Sequence, residues 1–331
     1  MILILSQDGF EATTEDVCDW IAALGGTYVR MNGEDLNGAE PLAMRYDSGG
    51  AGMRLRLSGR EVSLDDVRVV WMRRWHTHQN LAFVDAVAEG PLAREMHRHL
   101  AAELRAVTGS LAHLLRHARW LSPPGEHALN KLHALQAAAR AGLAVPATLV
   151  TNDRSALREF AARHGRVIVK AVSNPCMFVR GGAAYPLYTA ELTRQDIDGA
   201  PEHFFPTLVQ ERLEKAYEVR TFVLDGACHS MAIFSQADEQ TRVDFRRYNV
   251  RRPNRTVPYH LPEDVERGVR TLMRDLPLGT GSLDLIRTPD GRHVFLEVNP
   301  VGQFGMVSEP CNYRLEKRVA EYLIRGDADV R

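Results

Sequence analysis

Asp284, Glu297 and Asn299 are three oxygen-bearing side chains spaced so that one face of a β-hairpin can carry them all. They sit in the run SLDLIRTPDGRHVFLEVNPVGQ, residues 282–303. Residues 283–286 and 294–298 have strand composition, and Pro289-Asp290-Gly291-Arg292 is turn chemistry between them. With Asp290-Gly291 as a two-residue loop, Asp284 lies directly across from Glu297. Asn299, two residues further on, shares the face of Glu297. Facing carboxylates repel. A hard cation reverses the sign of that interaction, and two carboxylates with an amide oxygen suit Mg²⁺ that is also held by phosphates. On an open surface the same residues would make only a solvated acidic patch. Ile286 and Phe295, expected on the same face, argue for one that is partly closed.

Other residues could serve the same site. The run Val167-Ile168-Val169-Lys170 is a short apolar strand whose last residue brings an ammonium to one place, either as a point charge for phosphate or as a guard on a sheet edge. Lys131 follows Asn130 at a predicted helix start, where unbonded N–H groups attract anions; in isolation it is equally an ordinary surface lysine. The stretch Leu208-Val209-Gln210-Glu211-Arg212-Leu213 carries a strand into a polar segment whose backbone can meet an adenine edge. Glu218 could accept from ribose hydroxyls. It shares a strand face with Arg220, so a structural ion pair between the two is the competing account. Arg246 and Arg247 place two guanidinium groups in one loop, suited to a phosphate or carboxylate, or simply solvated. His76 and His78, and likewise His97 and His99, have metal-compatible spacing but lack a third ligand and are read as structural.

The elements that must position these groups change character along the chain. The first third alternates: strand 2–5, helix 15–24 ended by Gly25-Gly26, strand 28–31. That β-α-β opening predicts a small parallel-sheet domain. Strands 44–46 and 53–57 are joined by a glycine-rich hairpin rather than a phosphate loop, because no G-x-G-x-x-G follows a strand there. Strand 67–71 precedes a long helix, 91–117, with an apolar stripe from Leu92 to Leu114 that reads as core or as a dimer face. Pro123-Pro124-Gly125 marks a boundary. Beyond it come helix 128–141, strand 147–151, helix 155–164 with Ser155 at or next to its cap, strand 166–172 and a polar loop 173–185. Strands 207–211, 217–224 and 228–234 follow, the last two joined at Asp225-Gly226. An Arg-rich loop spans 235–258. A helix over 262–276 buries Val265, Val269, Leu272 and Met273 and leads to the acidic hairpin, and a helix over 313–324 closes the sequence.

Composition narrows the function class. The sequence has 331 residues, 45% apolar and 25% charged, with a net charge of −1, so it has no general attraction to nucleic acid or membrane. Its four cysteines are scattered without a C-x-x-C pair, which indicates neither a zinc site nor a disulfide scaffold. The opening MILILS is too short and uncharged for a signal peptide, and no apolar run reaches the ~20 residues of a membrane helix. A cytoplasmic location is expected.

Taken together, the segments resemble the ATP-grasp superfamily and, within it, the graspetide synthetases. NKLHALQAAARAGLAVPATLVTND, VIVKAV, LVQERLEKAYEVRTFVLDG, MAIFSQADEQTRVDFRRYN, RPNRTVPYHLPEDVE and GSLDLIRTPDGRHVFLEVNPVGQFG carry the likeness, with MILILSQ, YVRMNGEDL and VVWMRRW at the N-terminal end. It is nearest to the microviridin-type peptide maturases of grasp-with-spasm systems. The resemblance implies an α/β fold, α+β in part, of three portions: a pre-ATP-grasp domain over 1–124, a central lid over 125–210 and a metal-binding portion over 211–331. It implies ATP and Mg²⁺ as cofactors. By motif, Lys131 and Lys170 would meet phosphates, Gln210, Glu211 and Leu213 the adenine, and Glu218 the ribose. Asp284, Glu297 and Asn299 would bind Mg²⁺, and Arg220 and Arg246 would neutralise the transferred phosphoryl group. The loop 173–185 would cover the phosphates. The implied reaction activates Asp or Glu side chains of a precursor peptide and closes ω-esters or ω-amides with Ser, Thr or Lys. The partner would be that peptide, with a leader held near 235–255 and the helix beginning at Pro262; a homodimer is also implied. An amino-acid or glutamate ligase, and an ATP-binding regulatory protein without turnover, are the alternatives.

Overall fold

The computed structural model describes residues 1–7, 11–37, 42–57, 59–75, 84, 89–122, 129–173, 177–180, 183–186, 189–237, 251 and 253–328. The chain divides into two compact units, 1–127 with 314–331, and 128–313.

The first unit opens with β1 (Ile2–Ser6), α1 (Ala12–Ala23) and β2 (Tyr28–Asn32), then β3 (Leu42–Asp47), β4 (Gly50–Leu57), β5 (Arg60–Ser63) and β6 (Val69–Met72). The long helix α2 (Gly90–Leu114) and β7 (Arg119–Trp120) follow. Every residue of β1 is buried because the parallel order β2-β1-β6-β7 makes it a central strand covered on both faces. Leu3, Leu5, Val70 and Met72 pack with Met53, Leu57 and Val62 from the antiparallel sheet β3-β4-β5 and with Leu111 and Leu115. The glycine-rich stretch is the expected hairpin, closed where Asp47 pairs with Gly50. The stripe of α2 is core only in part. Ala93 and Leu111 are buried, Met96, Leu100 and Leu104 are half-buried beside Val84, and Leu92 is 57% exposed. No described helix is long and apolar enough to cross a membrane.

The second unit contains α3 (Lys131–Arg140), β8 (Thr148–Asp153), α4 (Arg154–His164), β9 (Val167–Lys170), β10 (Met177–Arg180), β11 (Ala183–Pro186), β12 (Ala190–Leu192), α5 (Arg194–Gly199) and β13 (His203–Glu211). It continues with β14 (Tyr217–Leu224), β15 (Ala227–Phe234), β16 (Arg255–Tyr259), α6 (Glu263–Asp275), β17 (Thr280–Arg287), β18 (His293–Asn299) and α7 (Gly305–Cys311). Asn130 caps α3 by accepting from the Leu132 and His133 amides. Asp153, not Ser155, caps α4, with its Oδ2 2.7 Å from the Ala156 nitrogen; Ser155 lies inside the first turn. Two segments expected as loops contain strands. β10 and β11 pair as a small hairpin within 173–185. β16, in a stretch expected to be the end of the Arg-rich loop, joins β15 as an edge strand, a position that tolerates Pro258.

The two larger sheets have the orders β12-β9-β13-β8 and β16-β15-β14-β17-β18. The first packs Val167 and Val209 against Leu157 and Ile197. The second packs Val219, Leu285 and Phe295 against α3 and α6, where Val269, Leu272 and Met273 are buried and Val265 partly so. The last helix, α8 (Leu315–Ala328), returns to the first unit and packs on α1, β1 and β6. Leu315, Val319 and Leu323 are buried there. The approach is close: a Cβ on Gly26 would stand 2.9 Å from both Ile21 and Ile324. The Met1 ammonium pairs with Asp327 at 2.5 Å.

Candidate active site

The acidic hairpin reaches the expected pairing by an unexpected route. Its turn is longer than Asp290-Gly291. Gly291 N–H donates to the Thr288 carbonyl at 3.0 Å, Thr288 N–H donates to the Arg292 carbonyl at 2.9 Å, and Gly291 takes a φ of +100° that only glycine accepts readily. The pairs beside the turn are therefore Arg287 with His293, Ile286 with Val294 and Leu285 with Phe295. That register alone would put Leu296 across from Asp284. An extra residue in β18 shifts it back, and Asp284 pairs with Glu297. The bulge corrects one expectation. Phe295 faces the core and is fully buried, while Leu296 joins Ile286, Asp284 and Glu297 on the other side.

That side lines a cavity of about 350 Å³ within the second unit. Pairing of Leu208 with Lys170 and of Gln210 with Ile168 puts Lys170, Ile168 and Gln210 on the cavity face of their sheet, with Val167 and Val209 turned to the core. Gln210 is held by its Nε2, which donates to Thr148 Oγ1 at 2.8 Å, and Glu211 Oε1 accepts from the Ala147 amide at 2.8 Å. Leu213 also lines the cavity. On β14 the period of two turns Glu218 and Arg220 inward to the cavity and Tyr217 and Val219 to the core.

The ion pairs differ from the side-by-side pair that β14 suggested. Arg220 pairs across the sheet with Asp284, its Nη1 2.6 Å from Oδ1 and 2.7 Å from Oδ2. Glu218 instead accepts from Lys215 Nζ and Ser235 Oγ. Burial raises the Glu218 carboxyl above its ordinary value, opposed by Lys215 and Ser235. Lys131 Nζ stands 3.3 Å from Glu297 Oε2, so the start of α3 reaches the hairpin, although Lys131 does not itself line the cavity. Asn299 is also off the lining. Its Oδ1 accepts from the Val301 amide at 3.0 Å and shapes the turn after β18. Arg246 lies outside the described residues. Lys215, Ser235 and Leu296 were not singled out from the sequence; Lys215, three residues before Glu218, carried the only local signal.

Among the described residues the lining holds five basic and five acidic side chains, which balance. Among the described residues no group of three or more His, Cys, Asp or Glu is placed to hold a metal ion. A divalent ion would find two facing carboxylates and would need its remaining ligands from elsewhere. That matches Mg²⁺, which is commonly held by one or two carboxylates plus phosphates and water.

Two sheets around a cavity lined with paired carboxylates and cations, following a parallel-sheet domain, have the arrangement of the ATP-grasp fold. Residues 1–127 match the family model of the MvdD pre-ATP grasp domain, and over its whole length the chain is similar in fold to solved ATP-grasp ligases. A Chryseobacterium gregarium RiPP-associated ATP-grasp ligase, solved in complex with ADP and a leader and core peptide, is 21% identical and superposes with a TM-score of 0.86 over 100% of this chain and 97% of that one. Macrocyclase MdnC from Microcystis aeruginosa, solved with precursor peptide MdnA, is 25% identical with a TM-score of 0.81 over 98% and 99% of the two chains. Macrocyclase MdnB from the same organism is 25% identical with a TM-score of 0.76, covering 98% of each chain. Among curated proteins none matches the sequence.

Proposed function

We propose that this chain is an ATP- and Mg²⁺-dependent macrocyclase of a ribosomal precursor peptide. The observation that carries the reading is a full-length likeness to a precursor-bound macrocyclase in a chain whose own cavity presents facing Asp284 and Glu297. In this reading Gln210, Glu211 and Leu213 border the adenine, Glu218 the ribose, and Lys170 and Lys131 the phosphates. Mg²⁺ held by Asp284 and Glu297 would neutralise phosphate charge and align the terminal phosphoryl group. Asn299, with its oxygen engaged by Val301, would join only by exchanging that bond. Residues 125–210 would act as the lid, and residues 211–331 as the metal-binding portion.

A side-chain carboxylate of the peptide attacks the γ-phosphorus, ADP leaves, and an acyl phosphate forms. Arg220, with Arg246, offsets the charge of the transferring group, which is where catalysis of phosphoryl transfer mainly resides. A Ser or Thr hydroxyl, or a Lys amine, then attacks the acyl carbon, loses its proton and releases phosphate. Closure of the lid over the cavity would keep water from the acyl phosphate. A leader tethered outside the site would raise the effective concentration of the core. Arg251, Arg252 and α6 are our candidates for that surface, and charge reversal at the two arginines is expected to weaken leader binding. The half-buried stripe of α2 is the candidate face for a homodimer.

The test is incubation of the protein with ATP, Mg²⁺ and a candidate precursor. Mass spectrometry should show loss of one water per cross-link, and base treatment should open esters but leave amides. ATP turnover with a free amino acid and none with peptides would favour the amino-acid ligase instead.

A further inference from the structure

Asp284 and Glu297 each already hold a cation of the protein's own. Arg220 Nη1, within 2.7 Å of both Asp284 oxygens, stands where a cation bridging the carboxylate would stand. Lys131 is a partner of Glu297. The Arg220 side chain is 7% exposed and that of Asp284 13%, so neither charge is easily left alone. A divalent ion arriving by itself must push aside a buried arginine, which then loses its carboxylate and feels the ion's repulsion. A triphosphate changes that balance. It offers acceptors to the guanidinium and the ammonium, and further oxygen ligands to the metal. The balance of five cations and five carboxylates among the described lining residues points the same way. A polyanion alone overloads it with negative charge, and a dication alone with positive.

We infer that Arg220 and Lys131 are resident counter-ions, passed from the two carboxylates to nucleotide phosphates as metal and nucleotide enter together. The inference rests on the nucleotide reading above and adds a role for both cations before any chemistry begins. They make the site a poor one for free Mg²⁺ and a good one for Mg²⁺ with nucleotide.

Calorimetry on the whole protein tests this with MgCl₂ alone, a non-hydrolysable ATP analogue alone, and the two together. For the wild type, the analogue should tighten Mg²⁺ binding by about tenfold or more. Lys131→Met and Arg220→Met should move two affinities in opposite directions: free Mg²⁺ binds more tightly, Mg²⁺ with analogue more weakly, and the coupling falls away. Shifts of the same sign in both would mean a general charge effect and overturn the inference. So would wild-type protein that binds Mg²⁺ equally well with and without the analogue. If Arg220→Met does not fold, Lys131→Met decides alone, because its pair is more open, at 18% and 21% exposure. Failure of the wild type to bind the analogue with Mg²⁺ would sink the nucleotide reading itself. That outcome is distinguishable from tight joint binding without coupling, which sinks only the inference.

Discussion

Asp284 and Glu297 face each other in the cavity, so removing either should be felt in chemistry, and removing Asp284 also in stability because Arg220 is left buried without its carboxylate. Asp284→Asn and Glu297→Gln are each expected to lower peptide-dependent ADP release by about a hundredfold or more, read alongside ring formation by mass spectrometry. A second pair, in the first unit, should be felt in stability alone. Arg73 is 1% exposed and leans on Glu11, which is 3% exposed and also meets Arg74 at 2.7 Å. Burial works to raise the Glu11 carboxyl, but the Thr13 hydroxyl and the two guanidinium groups outweigh it and hold the group below its ordinary 4.5. A depressed folded value contributes stability that is present above the unfolded value and lost as pH falls through the folded one. Wild-type melting temperature should therefore fall from about pH 5 downward, and Glu11→Gln should flatten that fall. At neutral pH the same variant should lose about 3–5 kcal/mol of unfolding free energy in denaturant, because Arg73 is left buried without its carboxylate. The sequence disclosed the first pair and not the second. Two acids in register on a hairpin announce themselves by mutual repulsion. Nothing in Met72-Arg73-Arg74-Trp75 distinguishes the arginine that is buried from the one that is not.

At the scale of elements, the β18 bulge decides which neighbour serves the core and which the cavity. Phe295→Ala should cost about 3–5 kcal/mol in denaturant unfolding, the usual result of emptying a large core position. Leu296→Ala should cost less stability and instead weaken binding of an ATP analogue. Equal effects of the two would mean that β18 runs without the bulge. Strict alternation put Phe295 beside Glu297, and no glycine or proline in 293–299 warned otherwise. The pairing of Asp284 with Glu297 was nevertheless legible, because the longer turn and the extra residue shift the register in opposite senses. Helices and central strands were read well for a simple reason. The 217–224 strand and the Asp225-Gly226 turn carry their own chemistry, with φ of +48° and +78° at the two turn residues. Edge elements such as β16 take their conformation from a neighbour, and their composition does not reveal it.

At the scale of the molecule, net charge of −1 leaves recognition to local groupings, and the chain order hides one tertiary relation. The sequence gives no sign that 314–331 belongs with the first 127 residues, since an amphipathic helix records that it must be covered but not by what. Truncation after Tyr313 should strip α8 from α1, β1 and β6. Limited proteolysis mapped by mass spectrometry should then show new cleavage in the first unit, with slower change in 128–313. The same arrangement sets a timetable for synthesis. During synthesis residues 128–313 can settle as one unit, whereas the β-α-β segment must wait, apolar flank uncovered, until α8 has emerged. Newly made protein is thus most exposed to aggregation in residues 1–127, and a chaperone would be expected to attend that unit rather than residues 128–313.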